Sequence, residues 1–170
     1  MKVKIENKSA SAFAESNKPI RNSAKALIIK NDMVLFTKNK DLFGDFYLLP
    51  GGGQQHGETL EHALKRECLE EIGAEVDIID LVLIREYISA NHEFAGIDKN
   101  IHQVEFIFAC NLLETVNSKP IIQADAMQTG VTWLPISELE KYRIYPKKLI
   151  DVIKQSPRQK FSRVYLGDTN

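Results

Sequence analysis

Short apolar, β-branched runs separated by turn residues fill most of the chain, and one stretch near the middle changes to helical spacing. Residues 23–30 (SAKALIIK) and 33–38 (MVLFTK) flank Asn31-Asp32. They predict a β-hairpin, because Asn and Asp tolerate the left-handed backbone of a two-residue turn. DFYLL (45–49) predicts another strand, stopped by Pro50 and three glycines. Then Leu60, Leu64, Cys68 and Ile72 recur every four residues with Ala63 beside them, the apolar stripe of a helix over 59–72. Thr59 is placed to cap its start and Gly73 to end it.

Beyond the helix, EVDIIDLVLIREYI (75–88) predicts one strand, or two with a bulge, and 89–100 a polar loop. IHQVEFIFACNLL (101–113) is the strongest strand pattern, and TGVTWLP (129–135) the last. Ser137 is expected to cap a short helix, and Pro146 to start another through Ile153. Val3 and Ile5 alternate with lysines in an otherwise polar, Ser-rich start and could form an edge strand. The division expected is a polar segment (1–20), one domain (21–155) and a tail (156–170). Several strands with one central and two late helices imply an α/β sandwich around a mixed sheet.

Composition narrows the picture slightly. At 170 residues, 44% apolar and net charge −1, the chain can bury a real core and is not a strongly basic nucleic-acid binder. Lys141 to Asn170 holds eight Lys/Arg against two acids; a solvated basic helix is preferred there to a patch for polyphosphate or an RNA 5′ end. Cys68 and Cys110 lack metal-ligand spacing and read as reduced core thiols of a cytoplasmic protein. The N-terminus has no apolar run of signal-peptide length, and no stretch is long enough to span a bilayer.

One local pattern conflicts with helix physics. KRECLEEIG (65–73) crowds Glu67, Glu70 and Glu71 into the last turns of the helix, where the dipole disfavours acids and the three repel each other. At i, i+3 and i+4 they share a face that overlaps the apolar stripe, so they point inward or along a cleft. A divalent cation such as Mg²⁺, which prefers carboxylate oxygens, resolves the conflict. The preceding PGGGQQHGE (50–58) has four glycines in nine residues, which lets backbone approach a ligand closely.

GGQQHGETLEHALKRECLEEIGA carries Gly52, Glu58, Arg66, Glu67, Glu70, Glu71 and Gly73 in the spacing of the Nudix box, and the chain thus resembles the Nudix hydrolases. Cys68 and Ala74 fill two bulky aliphatic positions with smaller side chains. FYLLPGGG before the box and VTWLPISEL near the end extend the likeness over roughly residues 20 to 153. The resemblance implies an α/β/α sandwich with a loop-helix-loop motif. It also implies Mg²⁺- or Mn²⁺-dependent hydrolysis of a nucleoside diphosphate linked to another group. A non-catalytic nucleotide-binding module on the same fold is the alternative, although no box acid is missing.

By that resemblance Glu67, Glu70 and Glu71 hold metal, with the carbonyl of Gly52, and Glu67 or an acid outside the box is the general base. Arg66 is expected to pair with a box glutamate, and Glu58 to steady the loop. Glu105, a charge inside an apolar strand, is the candidate auxiliary ligand or base, with Asp125 in a loop as the second. Phe43, Phe46, Tyr47 and Trp133 are available for base stacking, and Arg21, Lys25 and Arg85 for phosphate or ribose. The partner expected is a small nucleotide; whether two chains pair is left open.

Overall fold

The structure is a computed structural model that describes residues 19–93, 100–116, 126–155 and 161–170. The described residues form β1 (Arg21–Lys30), β2 (Met33–Asp41), β3 (Gly44–Leu48), α1 (Leu60–Ile72), β4 (Val76–Ile88), β5 (His102–Leu112), β6 (Gln128–Pro135), β7 (Ile144–Tyr145), α2 (Lys148–Gln155) and β8 (Tyr165–Asp168). The expected edge strand at Val3 and Ile5, and Asp125, lie outside them.

β1 and β2 join two half-sheets. Their turn residues Asn31 and Asp32 have φ of 51° and 58°, the left-handed turn expected. Only Ile29 with Val34 and Lys30 with Met33 pair before the strands diverge. On one side the order continues β1-β5-β4-β8, on the other β2-β3-β7 with β6 also on β2. The edge of β1 left open by this divergence is taken up by the glycine loop. Ala26 N–H donates to the Pro50 carbonyl (2.8 Å) and Ala24 N–H to that of Gly52 (2.9 Å), while Gln54 N–H donates to the Asn22 carbonyl (3.0 Å). The loop is thereby fixed as an extra antiparallel edge.

Alternation along β1 and β5 divides the core. Ala24, Ala26 and Ile28 on β1, with Phe108 and Cys110 on β5, pack against Ala63, Leu64, Cys68 and Ile72 of α1. Leu27 and Ile107 face the opposite way, into a second core with Phe36, Leu83, Leu149 and Ile153. Because β1 and β5 are parallel with Ser23 opposite Glu105 and Lys25 opposite Ile107, the side chains of Ser23, Lys25 and Glu105 share that second face. β4 is one strand, the first of the two alternatives, and it carries register shifts near Ile78/Asp80 and Leu81/Leu83.

One expectation changes. Ser137 caps no helix: Ile136–Lys141 is a 3₁₀ turn that starts from Pro135 without a side-chain cap. Its first amide, Ile136 N–H, donates to the Asp32 carbonyl at 2.9 Å. Within the expected tail, β8 pairs in parallel with β4. Asp168 fastens it by accepting from Ile88 N–H (3.0 Å) and Asn91 Nδ2 (2.7 Å), with the His92 ring 2.6 Å away. Burial opposes the Asp168 charge, but these partners outweigh it and hold the carboxyl at about 2.

Both cysteines are in the core as expected, at 0% and 1% exposure. Burial raises the Cys68 thiol well above its ordinary pKa and pushes that of Cys110 up to about 12. Iodoacetamide at pH 8 is therefore expected to leave the native protein unmodified and to add two groups after unfolding in guanidinium, read by mass spectrometry. Modification of the native protein would contradict the packing.

Candidate active site

α1 starts as the sequence implies, with the Thr59 side chain accepting from His62 N–H, and stops at Gly73, whose φ is 59°. No basic residue occupies its last turn. The compensating cation is Arg66, one turn earlier. Its Nη1 donates to Glu67 Oε1 (2.7 Å) and Glu70 Oε2 (3.2 Å). Nη2 donates to Glu58 Oε1 (2.8 Å) and the Gly53 carbonyl (3.0 Å). The expected pairing of Arg66 with box acids is present. Glu58 also accepts from Gln55 N–H at 2.7 Å, and the Arg66 hydrogen bond is the main cause that holds its carboxyl below the ordinary range. It ties loop to helix, as expected.

Glu71 is buried, and its Oε2 accepts from Gly51 N–H at 2.7 Å. The Gly52 carbonyl, expected to face metal, instead accepts from Ala24 N–H (2.9 Å) and Ser23 Oγ (3.0 Å), which engages both its lone pairs. The Gly51 carbonyl faces the Lys25 ammonium. Gly52 matters in another way: a Cβ there would fall on the Glu67 carboxylate.

Among the described residues no three His, Cys, Asp or Glu side chains are gathered tightly enough to hold a metal ion as they stand. Arg66 bridges Glu67 and Glu70, and Gly51 N–H holds Glu71. The donor chemistry nevertheless suits a hard divalent cation. It is all oxygen, with Glu58, Glu67 and Glu70 set around one guanidinium and Glu71 held by Gly51 N–H, and the bare Gly52 backbone admits the Glu67 carboxylate.

Glu105 is apart from this cluster in its bonding. It is buried on the face of β5 turned away from α1, directly opposite Arg85 of β4. Arg85 Nε donates to its Oε2 at 2.5 Å and Gln103 Nε2 to its Oε1 at 2.8 Å. Burial raises the Glu105 pKa; the charge and hydrogen bond of Arg85, with Lys25 and Gln103, more than reverse this and leave it below the ordinary value.

A cleft of about 400 Å³ opens between the half-sheets. Phe43, at 74% exposure, stands at its rim, with the buried Phe46 and with Tyr87 and Tyr145 along its walls. Arg85 and Gln103 are among its polar lining. Of the aromatic candidates, Tyr47 packs edge-on against Tyr142 at 5.5 Å, and Trp133 joins the core under α1. A small cavity of about 40 Å³ lined by Lys25, Glu105 and Arg85 adjoins this cleft and shares Leu48, Arg85 and Tyr145 with it. Tyr87 and Gln103 were not singled out in the sequence. The signal was present, because each is two residues from Arg85 or Glu105 and shares its strand face.

The NUDIX domain model matches residues 19–153. The chain belongs to the NUDIX domain family. It is 30% identical over 93 residues to the nucleoside triphosphatase NudI of Enterobacter sp. (strain 638), covering 54% of this chain and 62% of that protein. It is equally similar over 89 residues to NudI of Salmonella arizonae, covering 49% and 63%. The chain thus spans less than two thirds of the length of these curated relatives. A NUDIX hydrolase from Nitrosomonas europaea superposes with a TM-score of 0.68 at 18% identity, covering 84% of this chain and 92% of that one. An ADP-ribose pyrophosphatase from Streptococcus suis gives 0.61 at 16% identity, covering 88% and 100%. These neighbours establish the α/β NUDIX fold. No helix among the described residues is long and apolar enough to cross a membrane.

Proposed function

We propose that the protein is a Mg²⁺- or Mn²⁺-dependent pyrophosphohydrolase that cleaves a nucleoside diphosphate linked to another moiety. The observation that carries this reading is the complete acidic face of α1, Glu67, Glu70 and Glu71, laid against a glycine loop that α1 itself clamps through Glu71 and Arg66. Glu67, Glu70 and Glu71 hold the metal. A backbone oxygen of the glycine loop joins them; that of Gly51 is contacted by Lys25 and that of Gly52 by Ala24 N–H and Ser23 Oγ, so a cation would displace one of these donors. When bound, a divalent cation neutralises diphosphate oxygens and lowers the pKa of an attacking water.

This chain's own side chains provide the rest. Glu67 has Oε1 on Arg66 and turns Oε2 toward Gly52, so it is the box acid best placed to take a proton. Arg66 fixes the rotamers of Glu67 and Glu70 and is a positioning residue. Lys25, which contacts the Gly51 carbonyl, offers a cation to a diphosphate beside the glycine loop, and the cleft between the half-sheets takes the nucleoside. Nucleoside triphosphates are the substrates favoured, since the matched stretch of sequence is 30% identical to an enzyme named for them. An RNA end is disfavoured: Lys141, Arg143, Lys147, Lys148 and Lys154 all pair with acids.

The test is a screen of purified protein with Mg²⁺ or Mn²⁺ against nucleoside triphosphates, nucleotide sugars and dinucleoside polyphosphates, with released phosphate measured after a coupling phosphatase or pyrophosphatase. Cleavage of one class, abolished by EDTA, is expected. Silence on every substrate, together with tight metal-dependent nucleotide binding, would overturn catalysis in favour of a regulatory module.

A further inference from the structure

Glu105 does not line the nucleoside cleft, but both of its oxygens hold groups that do. Arg85 uses Nε on Glu105 and one Nη1 hydrogen on the Thr169 carbonyl (2.5 Å), so both Nη2 hydrogens and the second of Nη1 are left for a ligand. A carboxylate only accepts, so Gln103 must offer it the amide nitrogen, and this leaves the Gln103 carbonyl oxygen as an acceptor at the cleft. The Arg85 guanidinium also lies over the Tyr87 ring, 5.6 Å from its centroid, which fixes its plane.

We propose that Glu105 is a positioning residue for substrate binding, and neither a metal ligand nor the general base. It presents Arg85 and Gln103 as an adjacent donor and acceptor to the edge of a planar heterocycle carrying an acceptor beside a donor, the pattern of a nucleobase. This inference rests on the reading of the cleft as the nucleoside site. Three observations support it. Strand alternation turns Glu105 away from α1 and the box acids. Its direct cross-strand partner is a buried arginine, and each of its oxygens already accepts a hydrogen bond. A base must accept a proton from water within hydrogen-bond reach, and Glu105, with Arg85 on one oxygen and Gln103 on the other, is less suited to that than Glu67, which pairs with Arg66 through Oε1.

The experiment compares wild type, Glu105→Gln and Gln103→Leu. Steady-state kcat and KM are measured between about pH 5 and 9, the range in which an essential base reports itself, with the four nucleoside triphosphates and Mg²⁺. Metal-free binding of the four nucleoside 5′-monophosphates is measured by calorimetry, and folding by circular dichroism. Both variants are expected to raise KM and the monophosphate Kd by roughly tenfold, the loss of one buried hydrogen bond, with kcat and its acidic limb little changed. A collapse of kcat with loss of the acidic limb in Glu105→Gln, while Gln103→Leu stays neutral, would overturn the proposal and leave the hydrolase reading intact. Monophosphates that bind both variants as tightly as wild type, or bind none of the three proteins, would overturn it too. A wild type that hydrolyses nothing would instead remove the proposed activity, and calorimetry would still decide the role of Glu105. Should Glu105→Gln fail to fold, Gln103→Leu, which keeps the Arg85–Glu105 pair, carries the binding test alone.

Discussion

Glu70→Gln is expected to lower kcat by roughly 10²- to 10³-fold, the scale seen when one preorganised electrostatic stabiliser is removed, with little change in melting temperature. The amide keeps the shape of the carboxylate and removes its charge, so the effect falls on whatever cation the acidic face holds. The fold has little stake in that charge. Arg66 retains Glu58 on two of its nitrogens, Glu67 at 2.7 Å and the Gly53 carbonyl at 3.0 Å, and loses only the 3.2 Å contact to Glu70. The Glu70 side chain is 26% exposed, so the pair it leaves is screened and contributes little to stability. The check is a metal titration beside a thermal melt. A variant as active as wild type at saturating Mg²⁺ would remove Glu70 from the metal site, and a variant that melts early would make it structural.

How far the sequence carried depended on whether the deciding interaction was local. Period and punctuation are local, so Asn31-Asp32, Thr59 and Gly73 marked the hairpin and the ends of α1 correctly. The misplacement of Glu67, Glu70 and Glu71 relative to the helix dipole was also local, and it pointed to the inward face on which Glu71 is now found buried. Ser137 failed as a cap because the turn is 3₁₀ and starts one residue earlier, at Ile136 after Pro135, so Ser137 lies inside it. What anchors its start is tertiary, the Asp32 carbonyl of the β1–β2 turn accepting from Ile136 N–H.

The reading of Glu105 shows the same limit. A charge in an apolar strand correctly announced a partner, but the partner is Arg85, twenty residues away, and the pairing depends on the register of β4 against β5. Register is set by the whole sheet and by the bulges in β4, which composition does not reveal. The lone pairs of the Gly52 carbonyl were invisible for a similar reason, since they are engaged only because β1 and β2 diverge and the loop fills the edge.

Two adjacent glycines of that loop are expected to respond to alanine in opposite ways. Gly51 has φ of 121°, outside what L side chains adopt, and a Cβ there would strike the backbone of β1 at the Ala24 carbonyl oxygen and lie 3.0 Å from the Lys25 Cα. The loop cannot withdraw, because Pro50 and Gly52 on either side are bonded to Ala26 and Ala24. Backbone strain and overpacking together cost about 3–5 kcal/mol, so Gly51→Ala should lower the melting temperature by more than about 6 °C. Gly52→Ala meets no such wall. Its Cβ would fall on the Glu67 carboxylate, the far end of a flexible side chain, and the collision is relieved by turning that carboxylate away. Stability should then change by less than about 1 kcal/mol, while kcat falls by roughly 10²-fold as Glu67 leaves its contact with Arg66. Thermal melts and steady-state rates of the two variants separate these effects. If Gly52→Ala proved fully active, the position of Glu67 over Gly52 would be irrelevant to turnover, and the assignment of Glu67 as the proton acceptor would fall with it.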